Sequence, residues 1–459
     1  MCRGIVVAGL SGGSGKSVAA VGLTAWLRGA GERVVAFKKG PDYIDAGWLG
    51  QAAGRPCYNL DPFLMPPEVL YSSFIRQAAA ADVALIEGNR GLYDGVDAAG
   101  GFSTAELAVQ LGLPVLLVVN CSKTTRTVAA MVLGCRELDK RLRIAGVILN
   151  QIATSRQEAV IREAVERYTG IPVVGVLPRQ KQDIFPMRHL GVTPHQEAAS
   201  VQTAIDHLAQ IVAQHFDTAA IRNLLTEVAV AAPPVVAQAS HDGHRVRIGV
   251  LRDRAFQFYY EENLEALREA GAELVLIDAL SAAALPDGLD GLYIGGGFPE
   301  TSARELAENS SFRESVRNAA ERGLPIYAEC GGLIFLGRAI VLDGTEYPLA
   351  GVFPVTFGMG KRPQAHGYSI FTADRVNPYY PVGTTIRGHE FRYSTVLQWE
   401  GRAEDLVLKM ERGTGFMNGR DGLVKNNVLA LYTHILAPGT PEWAKGLVFA
   451  TQKYRNMSE

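Results

Sequence analysis

The sequence lacks most features that would tie it to a membrane, a nucleic acid or an oxidising compartment. Its cysteines are odd in number, five in all, and contain no CxxC pair, so neither a disulfide framework nor a zinc site is expected. No apolar run is long enough to cross a bilayer. The formal net charge of −2 gives no basic field for nucleic acid or anionic lipid. The opening strand-like run, 3–8, does not resemble a secretion signal, so we expect a cytoplasmic protein that acts on small molecules.

The composition that remains is that of a soluble globular protein. Hydrophobic residues make up 47% and charged residues 20% of the chain. A length of 459 residues is too great for one ordinary core, so at least two domains are expected. Many of the 49 glycines lie in short loops after apolar runs, which is typical of phosphate-binding and tight-turn sites in open α/β proteins.

Short apolar runs alternate with helical patterns along the first half of the chain. This alternation predicts an α/β fold with a mostly parallel sheet and helices on both of its faces. The candidate strands are Ile5–Ala8, Val34–Lys38, Val83–Glu87, Val115–Asn120, Ile144–Asn150 and Val173–Val176. The candidate helices are Ser17–Arg28, Glu68–Ala80, Thr124–Leu138 and Arg156–Tyr168.

The alternation lapses in a segment rich in alanine, valine and proline, which includes Pro233 and Pro234. We interpret this segment as a linker and predict a first domain over 1–228, the linker over 229–244 and a second domain over 245–459. A second α/β region follows. Its candidate strands are Val246–Leu251, Leu274–Asp278, Gly291–Ile294 and Pro325–Ala328.

A glycine-rich loop follows the first strand and precedes a helix. Such a loop wraps backbone N–H groups around phosphates at a helix N-terminus, with a lysine reaching the outer phosphates and a hydroxyl binding Mg²⁺. The predicted ATP-binding residues are Gly12, Gly13, Ser14, Gly15, Lys16 and Ser17. The loop departs from the strict phosphate-loop pattern at Leu10, where glycine is usual, and is one residue longer counted from Gly9. The alternative interpretation is a glycine-rich turn that binds nothing.

Acidic residues follow the second and third strands, where the carboxyl ends of parallel strands open onto the same crevice as the phosphate loop. Phosphoryl transfer needs carboxylates that bind Mg²⁺ and cations that offset developing charge. We therefore predict Asp45 and Glu87 as Mg²⁺ ligands, together with Ser17, and Lys38 as a clamp for phosphate or substrate. The alternative is that these residues are turn formers and a solvated edge.

A cysteine on a turn between a strand and a helix marks a second candidate site. Small neighbours allow the strained backbone that such a turn requires, and a helix N-terminus favours the thiolate, so Cys330 is predicted to be a nucleophile. The N–H groups of Gly331 and of Gly296 or Gly297 would bind an oxyanion. His434, at the end of a later strand, is the expected base. The alternative is a buried, unreactive thiol, which is the interpretation that suits Cys121 and Cys135.

Several motifs in this order resemble those of the cobyrinic acid a,c-diamide synthase family. They are Gly-Pro-Asp-Tyr-Ile-Asp at 40–45, Glu-Gly-x-x-Gly-Leu-Tyr-Asp at 87–94, Gly-Gly-Gly-Phe-Pro-Glu at 295–300 and Ala-Glu-Cys-Gly-Gly at 328–332. The first half of the chain resembles P-loop ligases of the dethiobiotin-synthetase type. The second half resembles class I glutamine amidotransferases.

The resemblance implies ATP- and glutamine-dependent amidation of the a- and c-carboxylates of cobyrinate in cobalamin synthesis, through an acyl phosphate. It implies that Cys330 forms the thioester and that Asp45, Glu87 and Asp94 lie at the site of carboxylate phosphorylation. Asp42 and Tyr43 would adjoin the substrate, and Asn150 would contact adenine. An enclosed route for ammonia is expected because contact with bulk water would waste both the acyl phosphate and the ammonia. A homodimer is a further expectation from the family.

The chain departs from the family pattern in places that keep alternatives open. Leu436 stands two residues after His434, where the third triad acid usually lies, so a cysteine–histidine pair without that acid is expected. Position 328 is Ala rather than the usual Gly of class I amidotransferases. Ala46 and Trp48 leave the tetrapyrrole open, so the same reaction on nickel-sirohydrochlorin is an alternative. A non-catalytic ATP-dependent switch is a second alternative. Partitioning ATPases that act as such switches carry lysine at the position of Ser11, so the serine argues against it.

Overall fold

The computed structural model describes residues 1–179, 187–188, 191–192, 194–197, 201–229 and 245–458. The chain divides into two compact units, Met1–Val235 and Val236–Glu459. The expected linker, 229–244, lies outside the described residues except for Ala229. Each unit has its own sheet and core.

The first unit follows a strand–helix alternation. Its elements are β1 Arg3–Gly9, α1 Lys16–Gly29, β2 Val34–Lys39, α2 Ile44–Ala53, β3 Tyr58–Leu60, α3 Pro67–Ala78, β4 Val83–Glu87, α4 Thr104–Leu111, β5 Val115–Asn120, α5 Thr127–Leu138, β6 Ile144–Ile152, α6 Ser155–Thr169, β7 Val173–Pro178, β8 Met187–Arg188, β9 Gly191–Val192, α7 Val201–His215, α8 Thr218–Leu224 and β10 Thr226–Glu227. The main sheet has the order β3-β2-β4-β1-β5-β6-β7, with β10 antiparallel to β1 and every other pair parallel.

Helices pack on both faces of this sheet because both faces are apolar. Ala36 of β2 belongs to a core cluster that includes residues of α1 and α7. Its neighbour Phe37 packs instead on Phe74 of α3, with ring centroids 5.2 Å apart. Successive residues of a strand point to opposite faces, so these contacts lie on the two sides of the sheet. The expected parallel α/β architecture is confirmed.

The second unit combines a parallel half-sheet with an antiparallel extension. Its elements are β11 Val246–Leu251, β12 Phe256–Phe258, α9 Glu261–Glu269, β13 Ala272–Ile277, β14 Gly291–Ile294, β15 Gly296–Gly297, α10 Ala303–Glu308, α11 Ser310–Glu321, β16 Ile326–Glu329, α12 Gly331–Leu336, β17 Ala339–Leu342, β18 Thr345–Pro348, β19 Val355–Met359, β20 Ala365–Ala373, β21 Thr385–Arg392, β22 Ser394–Trp399, β23 Leu406–Arg412, β24 Arg420–Lys425, β25 Val428–Leu431, β26 His434–Ile435 and α13 Pro441–Ser458.

The ten-stranded sheet of this unit has the order β13-β11-β14-β16-β25-β24-β23-β20-β21-β26. The first five strands in this order, from β13 to β25, pair in parallel. The remaining pairings, from β25–β24 to β21–β26, are antiparallel. A four-stranded sheet, β18-β17-β19-β22, packs beside it. In the part of the chain that the structure describes, no helix combines the length and apolarity needed to span a membrane.

Candidate active sites

The glycine-rich loop lies between β1 and α1, as the sequence predicts. Gly13 and Gly15 have φ angles of 74° and 96°, a region that favours glycine. A Cβ atom added at Gly12 or Gly13 would have no heavy atom within 4 Å, so this side of the loop is open. At Gly15 the same Cβ would lie 2.2 Å from Nδ2 of Asn150, so a side chain has no room there. The loop therefore has one open side and one side packed against the protein.

Hydrogen bonds fix the shape of this loop. The Ser14 hydroxyl donates to the Ser11 carbonyl at 2.8 Å and accepts the Ser11 N–H at 3.0 Å. Lys16 Nζ donates to the same carbonyl at 3.3 Å. The Asn150 amide donates to the Ser14 carbonyl at 2.8 Å. Asn150, which the resemblance placed at adenine, thus contacts the backbone of the loop itself, and it is buried.

Lys38 hydrogen bonds to two of the three predicted Mg²⁺ ligands and so links them in one cluster. Its ammonium donates to Asp45 Oδ2 at 2.7 Å, to Glu87 Oε1 at 2.9 Å and to the carbonyl of Gly88 at 3.1 Å. The Ser17 hydroxyl donates to the same Glu87 oxygen at 2.8 Å. The register of the sheet explains the meeting, because Lys38 of β2 pairs directly with Glu87 of β4.

The charges in this cluster shift one another's pKa values. Burial lowers the pKa of Lys38, but the negative charges of Asp45 and Glu87 outweigh it and raise that pKa above its usual range. Burial and the nearby charge of Asp45 raise the pKa of Glu87 to about 7. Burial and the charge of Lys38 lower the pKa of Lys16. An ionised Glu87 at neutral pH therefore depends on the cations around it.

The other residues predicted for this site lie in the loops that follow β2 and β4. Asp42 Oδ1 accepts the N–H of Asp45 at 2.9 Å, and burial together with the charge of Asp45 raises the pKa of Asp42 to about 6. Tyr43 is half-buried, directly before α2. Asp94 Oδ2 accepts the N–H of Gly91 at 2.8 Å and so shapes the turn after β4.

The oxygen ligands suit a hard cation. Glu87 Oε2 is buried and, among the residues the structure describes, has no hydrogen-bond partner. Those residues contain no group of three or more His, Cys, Asp or Glu side chains placed to hold a metal ion. Mg²⁺ often takes only one or two carboxylates and completes its shell with water and substrate phosphates. Ser17, Asp45 and Glu87 fit that kind of site.

The second site forms at the end of β16. Cys330 has φ 46° and ψ −97°, a strained conformation for a residue other than glycine. Its N–H donates to the carbonyl of Leu431 in β25 at 2.8 Å, and its carbonyl accepts the N–H of Ile334 at 3.0 Å, so the neighbouring strand and α12 hold the turn. The geometry is that of a nucleophile elbow.

His434 is the first residue of β26, which follows β25 in the chain, and its side chain approaches this turn. Nδ1 of His434 lies 3.4 Å from Oε2 of Glu329, and both side chains are almost fully buried. Burial lowers the pKa of His434, but its interactions with Cys330 and Glu329 outweigh this effect and raise that pKa to about 10. Cys330 is buried too, with 6% of its surface exposed, yet it contacts a histidine rather than an apolar core alone.

Glu329 is the residue of this site that the sequence did not identify. The expected position for a triad acid, Leu436, is buried in the apolar interior. The acid comes instead from the residue immediately before the nucleophile. The signal that the sequence offered was a glutamate at the end of an otherwise hydrophobic strand. Its pairing with His434 depends on how β16 and β25 lie side by side.

The glycine loop predicted for the oxyanion lies against the same residues. A Cβ atom added at Gly296 would lie 2.4 Å from Cε1 of His434, and one added at Gly331 would lie 2.9 Å from the nitrogen of Gly297. The N–H of Gly295 donates to the hydroxyl of Tyr259 at 2.8 Å, which anchors the loop. The three predicted oxyanion glycines are therefore brought together with His434, at distances that exclude any side chain.

A second histidine flanks His434. The ring of His389 stacks on that of His434, with centroids 4.9 Å apart and planes 20° from parallel, because the two residues pair directly across β21 and β26. Burial and the charge of His434 lower the pKa of His389 well below its usual range. A neutral His389 can pack on His434 without competing for its proton.

Two family models match the chain. The model for the CobQ/CobB/MinD/ParA nucleotide binding domain matches residues 5–191. The model for the CobB/CobQ-like glutamine amidotransferase domain matches residues 247–441. The two matches fall on the phosphate-loop unit and on the unit with Cys330, respectively.

Curated relatives match nearly the whole chain. A cobyrinate a,c-diamide synthase of Magnetococcus marinus is 43% identical over 94% of this chain and 93% of its own length. Enzymes of the same name from Archaeoglobus fulgidus and Dehalococcoides mccartyi are 39% and 38% identical, over 94% and 97% of this chain and 93% and 97% of their own lengths.

Proposed function

Because the chain belongs to the cobyrinate a,c-diamide synthase family, we propose that it uses ATP and glutamine to convert the a- and c-carboxylates of cobyrinate into amides. The family makes it an amide-forming ligase with a nucleotide-binding unit and a glutamine amidotransferase unit. The substrate and the chemical steps are our proposal. The observation that supports them most is the presence of two separate, complete sites in one chain, a phosphate loop above a Lys38 carboxylate cluster and a buried Cys330–His434 pair.

At the first site, a substrate carboxylate attacks the γ-phosphate of ATP to give an acyl phosphate and ADP. The open backbone of the loop and Lys16 bind the phosphates, and Lys38 offsets the negative charge that develops during transfer. Ser17, Asp45 and Glu87 would hold Mg²⁺, which neutralises phosphate charge when bound. The Lys38 contacts with both carboxylates keep these oxygens close together beneath the phosphates.

At the second site, Cys330 attacks the side-chain amide carbon of glutamine. The N–H groups of Gly331 and of Gly296 or Gly297 stabilise the oxyanion, and His434 donates a proton to the departing ammonia. The resulting thioester is hydrolysed by water, with His434 as the base. Ammonia then displaces phosphate from the acyl phosphate to form the amide. An enclosed route for the ammonia is part of the proposal, since the acyl phosphate would otherwise be lost to water.

The structure offers no specific support for another tetrapyrrole. Trp48, one of the two residues that left the substrate open, is 2% exposed and packs in the core of the first unit. Ala46, the other, is also buried. Both positions therefore concern packing rather than contact with a macrocycle. A non-catalytic switch is disfavoured because a strained, histidine-paired cysteine has no use in a protein that only binds nucleotide.

The direct test is incubation of the protein with MgATP, glutamine and either cobyrinate or nickel-sirohydrochlorin, followed by mass spectrometry of the tetrapyrrole. We expect two carboxyl-to-amide conversions on cobyrinate, each with release of one ADP. If only nickel-sirohydrochlorin is amidated, the proposed substrate is wrong but the proposed reaction type stands. Failure to hydrolyse glutamine or ATP in any mixture would refute the proposed reaction.

A further inference from the structure

Glu329 is a buried acid beside the reactive cysteine. It is the last residue of β16, it is fully buried, and it immediately precedes Cys330. A buried carboxylate is costly unless it is paired or hydrogen bonded. A carboxylate buried at this position therefore needs partners that offset this cost.

The contacts of Glu329 converge on His434 and the backbone that carries it. Oε2 lies 3.4 Å from Nδ1 of His434 and accepts a hydrogen bond from the Tyr293 hydroxyl at 3.5 Å. Oε1 accepts the N–H of Ile435 at 3.4 Å. One carboxylate thus contacts both the ring of the histidine and the peptide that follows it.

We propose that Glu329 is the positioning residue of the glutaminase site, replacing the triad acid that usually follows the histidine by two residues. Its carboxylate accepts the Nδ1 proton of His434, which leaves Nε2 facing Cys330. This is the arrangement in which an acid fixes the tautomer of a catalytic histidine and stabilises the imidazolium that forms during the reaction. The inference rests on the proposed glutaminase function of Cys330.

The other groups around His434 do not provide this interaction. Leu436, at the usual acid position, is buried and apolar. His389 stacks on the ring, but it is an imidazole whose pKa is lowered mainly by burial. It is therefore neutral and cannot take the place of an acid. Asp421 is buried nearby in sequence, but its oxygens accept the backbone N–H groups of Tyr432 and Thr433 at 3.0 to 3.1 Å. Glu329 is therefore the acid whose contact with the His434 ring is observed.

The experiment compares Glu329→Gln with Asp421→Asn, a matched loss of a buried carboxylate that does not contact the His434 ring. Glutamine keeps the size of the side chain and an oxygen for the Ile435 N–H. In Glu329→Gln we expect glutamine-dependent kcat to fall by about 100-fold or more, while amidation from added ammonia is unchanged. The His434 ring, followed by its ¹⁵N chemical shifts against pH, should lose its proton at lower pH than in the wild type, because its interaction with Glu329 contributes to its raised pKa.

The outcomes separate the inference from the function on which it rests. A wild-type enzyme without glutaminase activity would refute the proposed function. An active wild type with an equally active Glu329→Gln variant, or equal loss of glutamine- and ammonia-dependent activity, would refute the positioning role. An identical shift of the His434 titration in Asp421→Asn would do the same.

A measurement on the unsubstituted protein covers the case in which Glu329→Gln does not fold. In protein labelled with ¹⁵N-histidine, the neutral His434 ring should carry its proton on Nδ1, as seen from the nitrogen chemical shifts. A neutral ring with its proton on Nε2 instead of Nδ1 would overturn the inference.

Discussion

The two candidate sites are built by different physical means. The first draws charged side chains from β2, β4 and α2 into a network of ion pairs, so its geometry depends on charge: Lys38 links Asp45 and Glu87. The second relies on backbone conformation, with Cys330 held at φ 46° and glycines pressed against His434. A network of charges suits a charged ligand such as a triphosphate, whereas a strained, close-packed turn fixes the position of one side chain.

The substitution with the largest expected effect is Cys330→Ser, which tests whether the two sites carry separate parts of the reaction. Removal of the thiolate should reduce glutamine-dependent amidation by at least about 1,000-fold, as replacement of a covalent nucleophile does elsewhere. Amidation from added ammonium chloride should remain near the wild-type rate, because the first site is untouched. The measurement is initial rate with each nitrogen source at saturating ATP. Equal losses with both sources would show that the two sites do not divide the reaction in this way.

Lys16→Ala is the complementary change. Loss of the lysine that reaches the phosphates should slow ATP consumption by about 100-fold with either nitrogen source. Glutamine hydrolysis measured without ATP should persist. Cys330→Ser, with intact ATP use in the presence of ammonia, is the matched control. Normal release of ADP by Lys16→Ala would contradict the assignment of the phosphate loop.

The smallest expected effect is a pH dependence of the first site alone. Glu87 has a pKa raised to about 7, so it gains a proton as pH falls and its carboxylate is lost. ATP consumption should therefore decline about ten-fold between about pH 8 and about pH 6. In Glu87→Gln the rate should be lower throughout and the decline should move to the range of Asp42, whose pKa is about 6. A flat wild-type profile would contradict the role of Glu87.

Much of the first unit could be predicted from the sequence because its strands are continuous apolar runs. Val83–Glu87 and Val115–Asn120 occur at the predicted bounds. The short strand β3 and the helix α2 were not predicted. Helix α2 begins at Ile44, shortly after Gly40 and Pro41, which favour a turn and so give no local signal for a helix.

The second unit was less predictable because much of its sheet is antiparallel and built from distant strands. Only its parallel strands were predicted, and Val246–Leu251 and Gly291–Ile294 occur at the expected bounds. Strands such as β20 and β23 pair across long stretches of sequence, and their partners are fixed by packing rather than by local pattern. The pairing of Glu329 with His434 was missed for the same reason, since 105 residues separate them.

The pairing of β16 with β25 has a consequence for how the second site is made. Glu329 lies directly opposite Leu431, and His434 follows three residues later, so one alignment of two strands sets the positions of Cys330, His434 and Glu329 at once. A slip by one residue would turn Glu329 toward the opposite face of the sheet and away from His434. On the proposed mechanism, glutamine hydrolysis therefore depends on that strand pair as a whole, and a chain in which the pair has not formed would release no ammonia.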